Sequence, residues 1–358
     1  MGDPEELAAQ SSGSVVGPAA GLAAQAAGDE APSLGRRFFN VRTLISFALG
    51  FAILVFLFTR VQIDVAGILE RVRQANPLFL ALAVVAYYGT FPMRALRWGR
   101  LLRNAGVREE AALPNGWGLT EIVVLSWFAN CIVPAKLGDA YRAYLLKRES
   151  RVSFSATIGT ILAERIIDVL VLYFLMVGAA SLSFGRALPP EVVVLMQLGS
   201  ALAIVVVVAL FALRNMRPLV ERLLPARFHD QYAHFERGTL QSFRSLPTVL
   251  AYTGATWGGE VLRLYFVTLA LGLVGVAPSV VVFVALASAL ATTLPLTPAG
   301  LGFAEGAIVA IFLLAARAGL APGVDDHAAA SIALLDRAIS YWSLVLVGLV
   351  TYLFSKRR

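Results

Sequence analysis

Two apolar runs, Ser279 to Leu294 and Phe303 to Ala316, are separated by a stretch that cannot continue a helix, Pro298 to Ala307, PAGLGFAEGA. Its proline and its glycines Gly300, Gly302 and Gly306 break the helical ladder, and Glu305 lies just past the break. In a bilayer, unwound backbone is tolerated only where protein or a water-filled cavity shields it. A carboxylate at that depth is costly and marks function by default. An earlier stretch, Pro134 to Ala143, reads PAKLGDAYRA and matches at six of ten places. Flanking landmarks keep the same order. Arg97 corresponds to Arg263, and Glu164-Arg165 corresponds to Asp336-Arg337. The pattern predicts an internal duplication with halves at about 77–182 and 248–354, of the kind that builds transporters.

The chain of 358 residues is 58% apolar and only 15% charged. Soluble domains carry roughly 25% charged residues, so this is expected to be an all-α, polytopic membrane protein. The net charge of +7 comes from Lys and Arg at the ends of apolar runs, which is an orientation signal and not a nucleic-acid footprint. The one cysteine, Cys131, excludes an intrachain disulfide and reads as a packing residue.

Residues 1–35 are rich in Ala, Gly, Ser and acids and read as a disordered cytoplasmic tail, followed by the membrane domain over 36–358. Arg36, Arg37 and Arg42 precede a first span at about Thr43–Thr59 and place the amino terminus in the cytoplasm. Arg60 to Asn76 suggests a short interfacial helix. Pro77 opens a span to about Met93, and Arg94, Arg97, Arg100, Arg103 and Arg108 then read as a cytoplasmic loop. Another basic segment, with Lys136, Arg142, Lys147, Arg148 and Arg151, follows the apolar run Ile122–Val133. Two successive basic loops on opposite faces would violate the positive-inside tendency. A re-entrant hairpin bent at Pro134 and Gly138 removes the conflict. Spans at Ser153–Leu182, Glu191–Leu213, Thr248–Val274 and Ala328–Phe354 follow. A second hairpin, Ser279–Ala316, turns at Pro298, Gly300 and Gly302. The reading is six full spans and two hairpins in an inverted repeat, with both termini cytoplasmic; the alternative is eight or nine full spans. Arg214–Leu246 reads as a basic cytoplasmic loop, and His229 and His234 within it lack a third ligand, so no metal is expected.

Charges inside the spans carry the functional expectation. Glu164, Arg165 and Asp168 share one span; Glu260 and Arg263 share another; Asp336 and Arg337 a third. Arg165 and Asp168 are three apart and can pair within the helix. Each such charge costs about 2.5–3.5 kcal/mol at a helix centre unless it pairs and faces the interior. These pairs either lock helices together or line a polar cavity at the hairpin tips. In the second case Arg142, Arg165, Arg263 and Arg337 suit phosphate, and Asp139 and Glu305 are proton or cation partners. The five tryptophans mostly lie near expected span ends and read as interface anchors. HExxH, G-x-S-x-G and P-loop patterns are absent from the sequence, and no cofactor is expected.

The string FANCIVPAKLGDAYRAYLLKR, then ERIIDVLVLY, PLTPAGLGFAEGA and DRAISYW, resembles the flippase-like membrane region of lysylphosphatidylglycerol synthases, a family with many stand-alone members. The resemblance runs from about Arg36 to the carboxyl end. It implies an inner-membrane protein that moves lipids between leaflets: aminoacylated phosphatidylglycerol in the fused synthases, polyprenyl-linked glycans or hopanoids elsewhere. By motif it carries over Asn130, Pro134, Gly138, Asp139, Arg142, Glu164, Arg165, Asp168, Pro298, Gly300, Gly302, Glu305, Asp336 and Arg337. Lys136, Glu260 and Arg263 join them as substrate-binding candidates. The expected partner is a membrane lipid with an anionic or polyprenyl-phosphate-linked head group. The second reading is a non-transporting partner of a glycosyltransferase or lipid-modifying enzyme.

Overall fold

The computed structural model describes residues 45, 47–53, 55, 65–107, 113–133, 136–150, 152–185, 189–292 and 297–357. The expected tail at 1–35 and the hinge residue Pro134 lie outside the described residues. Among the described residues the fold is all-α, and residues 45, 47–53 and 55 of the first apolar run are helical. A short helix α1, Val65–Arg73, buries Ile68. Next come α2 (Pro77–Asn104), α3 (Gly116–Ile132), α4 (Leu137–Ser150), α5 (Phe154–Phe184) and α6 (Pro190–Asn215). The chain continues through α7 (Arg217–Leu223), α8 (His229–Gln241), α9 (Leu246–Ala270), α10 (Pro278–Ala291) and α11 (Phe303–Arg317). It ends with α12 (Asp326–Arg337) and α13 (Ser343–Phe354), joined without a break by a π-helical turn at Ala338–Trp342.

Among the described residues, five segments are long and apolar enough to cross a membrane. One of these, Pro298–Arg317, reaches that length only by including the turn Pro298–Gly300, where Ala299 at φ 44° breaks the helix. The remaining α11 has 15 residues, about 22 Å at 1.5 Å per residue, against a hydrocarbon layer of about 30 Å. The same arithmetic gives about 26 Å for α3 and about 21 Å each for α4 and α10. These four helices are each shorter than the hydrocarbon layer, and they pair as two hairpins, α3/α4 and α10/α11. Each hairpin is fastened across its limbs. Ser126 Oγ donates to Gly138 O at 2.8 Å, and Ser288 Oγ reaches Ala304 O at 3.5 Å.

The long helices α2 and α9 pack against each other in opposite directions. Asn76 N–H donates to Ala270 O (2.8 Å) at one end, and Asn104 Nδ2 donates to Ser245 Oγ (2.7 Å) at the other. Each begins a like succession: long helix, shorter helix, turn, shorter helix, long helical segment. Proline fixes the start of α2 at N1, and the Asn76 side chain accepts the Leu78 N–H as its cap.

Two expectations are corrected. The span opened by Pro77 does not end at Met93. Helix α2 runs eleven residues further, because Ala95, Trp98 and Leu102 continue the buried face of Phe91. Arg94 and Arg97 are thus buried helix residues and not part of a loop. The segment Arg214–Leu246 is not a plain loop either; it forms α7, two 3-10 turns and α8. Helix α8 lies backbone to backbone on α5: a Cβ on Gly159 would collide with Phe235 O, and one on Gly238 with Ala156 O.

Candidate functional site

The buried charges resolve into two networks and two single pairs, built alike in both halves. In the first half, Arg97 of α2 reaches across to α5. It donates to Asp168 at 2.6 and 3.1 Å, to Glu164 at 2.8 Å and to Thr253 at 3.0 Å. Arg142 of α4 meets the other Glu164 oxygen at 3.1 Å and stacks on Trp98 at 3.9 Å. In the second half, Arg263 of α9 pairs with Asp336 of α12 and, at 3.0 Å, with Glu260 one turn before it. Arg94 joins Glu260 at 2.8 Å and lies 4.2 Å over the Trp127 ring. An arginine on each antiparallel helix therefore grips the acid on the last long helix of its own half.

The hairpin tips repeat the match. Arg165 binds Asp139 through Nε and Nη2, at 3.1 and 2.7 Å. Arg337 donates from Nε to Glu305 at 2.9 Å and from Nη2 to Ala299 O at 3.1 Å. The second Glu305 oxygen accepts the Gly302 N–H at 2.7 Å, so both oxygens are engaged. Asn130 accepts the Gly138 N–H at 2.8 Å and closes the first tip. Lys136 (φ 53°) and its counterpart Gly300 (φ 70°) both occupy left-handed backbone. The tips are neighbours: the Pro298–Gly300 turn packs on α3, and Tyr341 of the π-helical turn donates to Cys131 O at 3.0 Å.

The pairing expected inside single helices is corrected in two of three cases. Glu260 and Arg263 do pair, but Arg165 ignores Asp168 for Asp139, and Asp336 and Arg337 take different partners. The reason is geometric. A guanidinium fork takes a carboxylate through two nitrogens where packing brings one into line, and the hairpin brings Asp139 to Arg165 in that way. The reading of the tryptophans as interface anchors also fails for two of them. Trp98 is fully buried beneath Arg142, and Trp127 lies beneath Arg94. Trp117 is well exposed and Trp342 partly so.

Exposure separates the groups. The side chains of the two networks are 0–11% exposed, those of Arg337 and Glu305 9% and 10%, whereas Arg165 and Asp139 are 26% and 17% exposed. The first tip is the accessible one. A separate cavity of about 540 Å³ lies at the outer end of the first hairpin, lined by Glu121, Leu145, Arg148, Glu149, Phe354, Lys356 and Arg357. There Arg357 pairs with Glu121 and, at 2.7 Å, with Glu149, fastening the chain's end to both limbs of the hairpin.

The model of the lysylphosphatidylglycerol synthase TM region matches residues 43–348. The chain belongs to this family. It is 32% identical over 231 residues to the UPF0104 membrane protein MJ1078 of Methanocaldococcus jannaschii, covering 64% of this chain and 95% of that one. It is 27% identical to the UPF0104 membrane protein PH1989 of Pyrococcus horikoshii, over 79% of this chain and 89% of the relative. Similarity to the glycosyltransferase AglD of Haloferax volcanii is 27% over 86% of this chain and 53% of that protein. The family thus establishes a multi-pass membrane protein. Sequence reading missed Arg94 and Arg97 as site residues, although the alignment of Arg97 with Arg263 in the duplicated pattern pointed to one of them.

Proposed function

We propose that the protein is a lipid translocase of the cell (inner) membrane, with both termini cytoplasmic, passing a phosphate-bearing head group between leaflets while its tails stay in lipid. The observation that carries this reading is the half-open ion pair Arg165–Asp139, at a hairpin tip adjoining the opposite tip. A head group crossing hydrocarbon unaided loses its hydration without compensation. A guanidinium already held by a carboxylate offers a substitute: phosphate replaces Asp139 on Arg165, and Asp139 takes it back when the lipid leaves. The antiparallel α2 and α9 give the two halves opposite orientations, as expected of an inverted repeat that opens to either face. The reading assigns no covalent chemistry to the chain.

The test is a liposome assay with purified protein and head-group-labelled phospholipid, following the fraction reachable by an external quencher. The wild type is expected to equilibrate the label across leaflets. The double substitution Asp139→Ala, Arg165→Ala removes both charges and leaves none orphaned; it is expected to fold and to slow equilibration at least about tenfold. Equal rates for the two proteins, both monodisperse, would remove the reading.

A second reading rests on a different observation. Nearly half of the relative called glycosyltransferase AglD lies outside the match, so this membrane unit occurs joined to other sequence. A scaffold for a glycosyltransferase or lipid-modifying enzyme would give a stable complex in pull-down and no lipid movement by the purified protein.

A further inference from the structure

The intramembrane charges nearly cancel. Arg97 and Arg142 balance Glu164 and Asp168, and Arg94 and Arg263 balance Glu260 and Asp336. Arg165 balances Asp139, and Arg337 balances Glu305. Lys136 is left over. Among the described residues it has no ion pair within 4.0 Å, although Arg165, Asp139 and Asp168 are close enough to act on it electrostatically. Its backbone adds a second cost. At φ 53° an L-residue is strained, and the matching place in the other tip is Gly300, which adopts φ 70° freely. Strain kept at such a position points to a role for the side chain. A third observation lies beside it. Arg142 is 1% exposed, yet its Nε and Nη2 have no hydrogen-bond partner among the described residues, and it too is within electrostatic reach of Asp139 and Arg165.

We infer that Lys136, with Arg165 and the spare donors of Arg142, forms a binding site for a phosphodiester carrying one net negative charge, as in a mono-anionic lipid head group. This rests on the lipid-handling reading above and narrows it to a charge class. Net charge in a low-dielectric interior is penalised whatever its sign. With the site at +1, a mono-anion gives a neutral complex. A zwitterion leaves +1, and a phosphomonoester approaching −2 leaves a net negative charge. Lys136 is therefore a specificity-determining residue, and its counterpart Gly300 makes the two tips unequal.

The experiment measures binding, not transport. Purified protein in detergent is titrated with phosphatidylglycerol, phosphatidylcholine and phosphatidic acid, with bound lipid read by native mass spectrometry. Wild type is expected to prefer phosphatidylglycerol over both others by at least about tenfold. Lys136→Met is expected to lose the preference over phosphatidylcholine, and Lys136→Arg to keep it. Lys136→Gly is expected to lose it while raising the unfolding temperature, since it relieves the backbone at φ 53°. That variant keeps the test valid if Lys136→Met folds poorly. An unchanged preference in Lys136→Gly, or tighter binding of phosphatidic acid by wild type, would overturn the inference. Displacement of the lipid by an equal concentration of glycerophosphoglycerol would support the charge class and overturn its lipid source, assigning the site to a free phosphodiester. A lipid preference without any lipid movement in liposomes would keep this assignment and remove the translocase. Movement without charge preference would do the reverse.

Discussion

Replacing Arg97 by alanine is expected to cost the protein a large part of its folding stability. Among the described residues Arg97 is the sole ion-pair partner of Asp168 within 4.0 Å and shares Glu164 with Arg142, and its side chain is 0% exposed. Removing one partner of a buried ion pair costs about 3–5 kcal/mol, because the remaining charge keeps its desolvation penalty. Here the orphan is chiefly Asp168, since Arg142 still holds Glu164. Total stability of a domain is about 5–15 kcal/mol, so one substitution consumes a large part of it. The expected result is little monodisperse protein after extraction, with a sharply lower unfolding temperature in whatever remains. Arg97→Lys is expected to fall between, because one ammonium cannot bridge Asp168, Glu164 and Thr253 in the directions a guanidinium does. The compensating change identifies the mechanism. Adding Asp168→Asn to Arg97→Ala removes the orphaned charge and is expected to recover at least about half of the loss. If Arg97→Ala unfolds within about 1 kcal/mol of wild type, the network does not hold α2, α5 and α9 together.

The features legible in the sequence were those set by local chemistry. Pro298, Gly300 and Gly302 lie close enough together to interrupt a helix, so the second hairpin could be placed without tertiary information, although Gly306, also expected to break it, lies inside α11. The repeated order of Arg97, PAKLGD and Glu164-Arg165 was likewise readable, because duplication preserves the order of such landmarks. What could not be read was which charge faces which. Counting Lys and Arg for orientation treats every basic residue as solvated, so Arg94 and Arg97 were assigned to a loop, whereas each has a carboxylate on another helix. Spacing of three residues offered Asp168 to Arg165, but the hairpin turn brings Asp139, 26 residues earlier, to its guanidinium fork. Trp98 and Trp127 were misread for a related reason. An aromatic ring near a span end fits an interface belt equally well in sequence, and only packing reveals the arginine above it. Helix α8 gave no signal because its closest approach to α5 is at two glycines, Gly159 and Gly238, which leave no apolar periodic trace.

Gly138→Ala is expected to disable the first hairpin while sparing the rest of the fold. A Cβ at Gly138 would collide with Ser126 O and come within 2.7 Å of Asn130 Cγ, on the facing limb. The glycine is also fastened on both sides, its N–H to Asn130 Oδ1 and its carbonyl to Ser126 Oγ, each at 2.8 Å. The methyl group therefore cannot be absorbed by one flexible side chain. Helix α4 must move off α3, at a cost of about 3 kcal/mol, the upper part of the range for overpacking. Asp139 is the next residue, so the shift pulls it from Arg165 and loses the pair that carries the lipid-handling reading. The expected result is a lower unfolding temperature together with lipid equilibration reduced at least tenfold or so. Gly178→Ala in α5 is the control: no atom lies within 4 Å of its Cβ, and alanine there is expected to leave stability unchanged or raise it by up to about 1 kcal/mol. Equal behaviour of the two variants would mean that the tip is not closed as described. The second tip is constrained differently, since Gly302 at φ 86° would strain any side chain and its Cβ would come within 2.8 Å of the Ile53 Cβ. Alanine there strains a turn that the first apolar helix covers, whereas at Gly138 it opens one hairpin against itself, so only the Gly138 variant isolates the accessible tip.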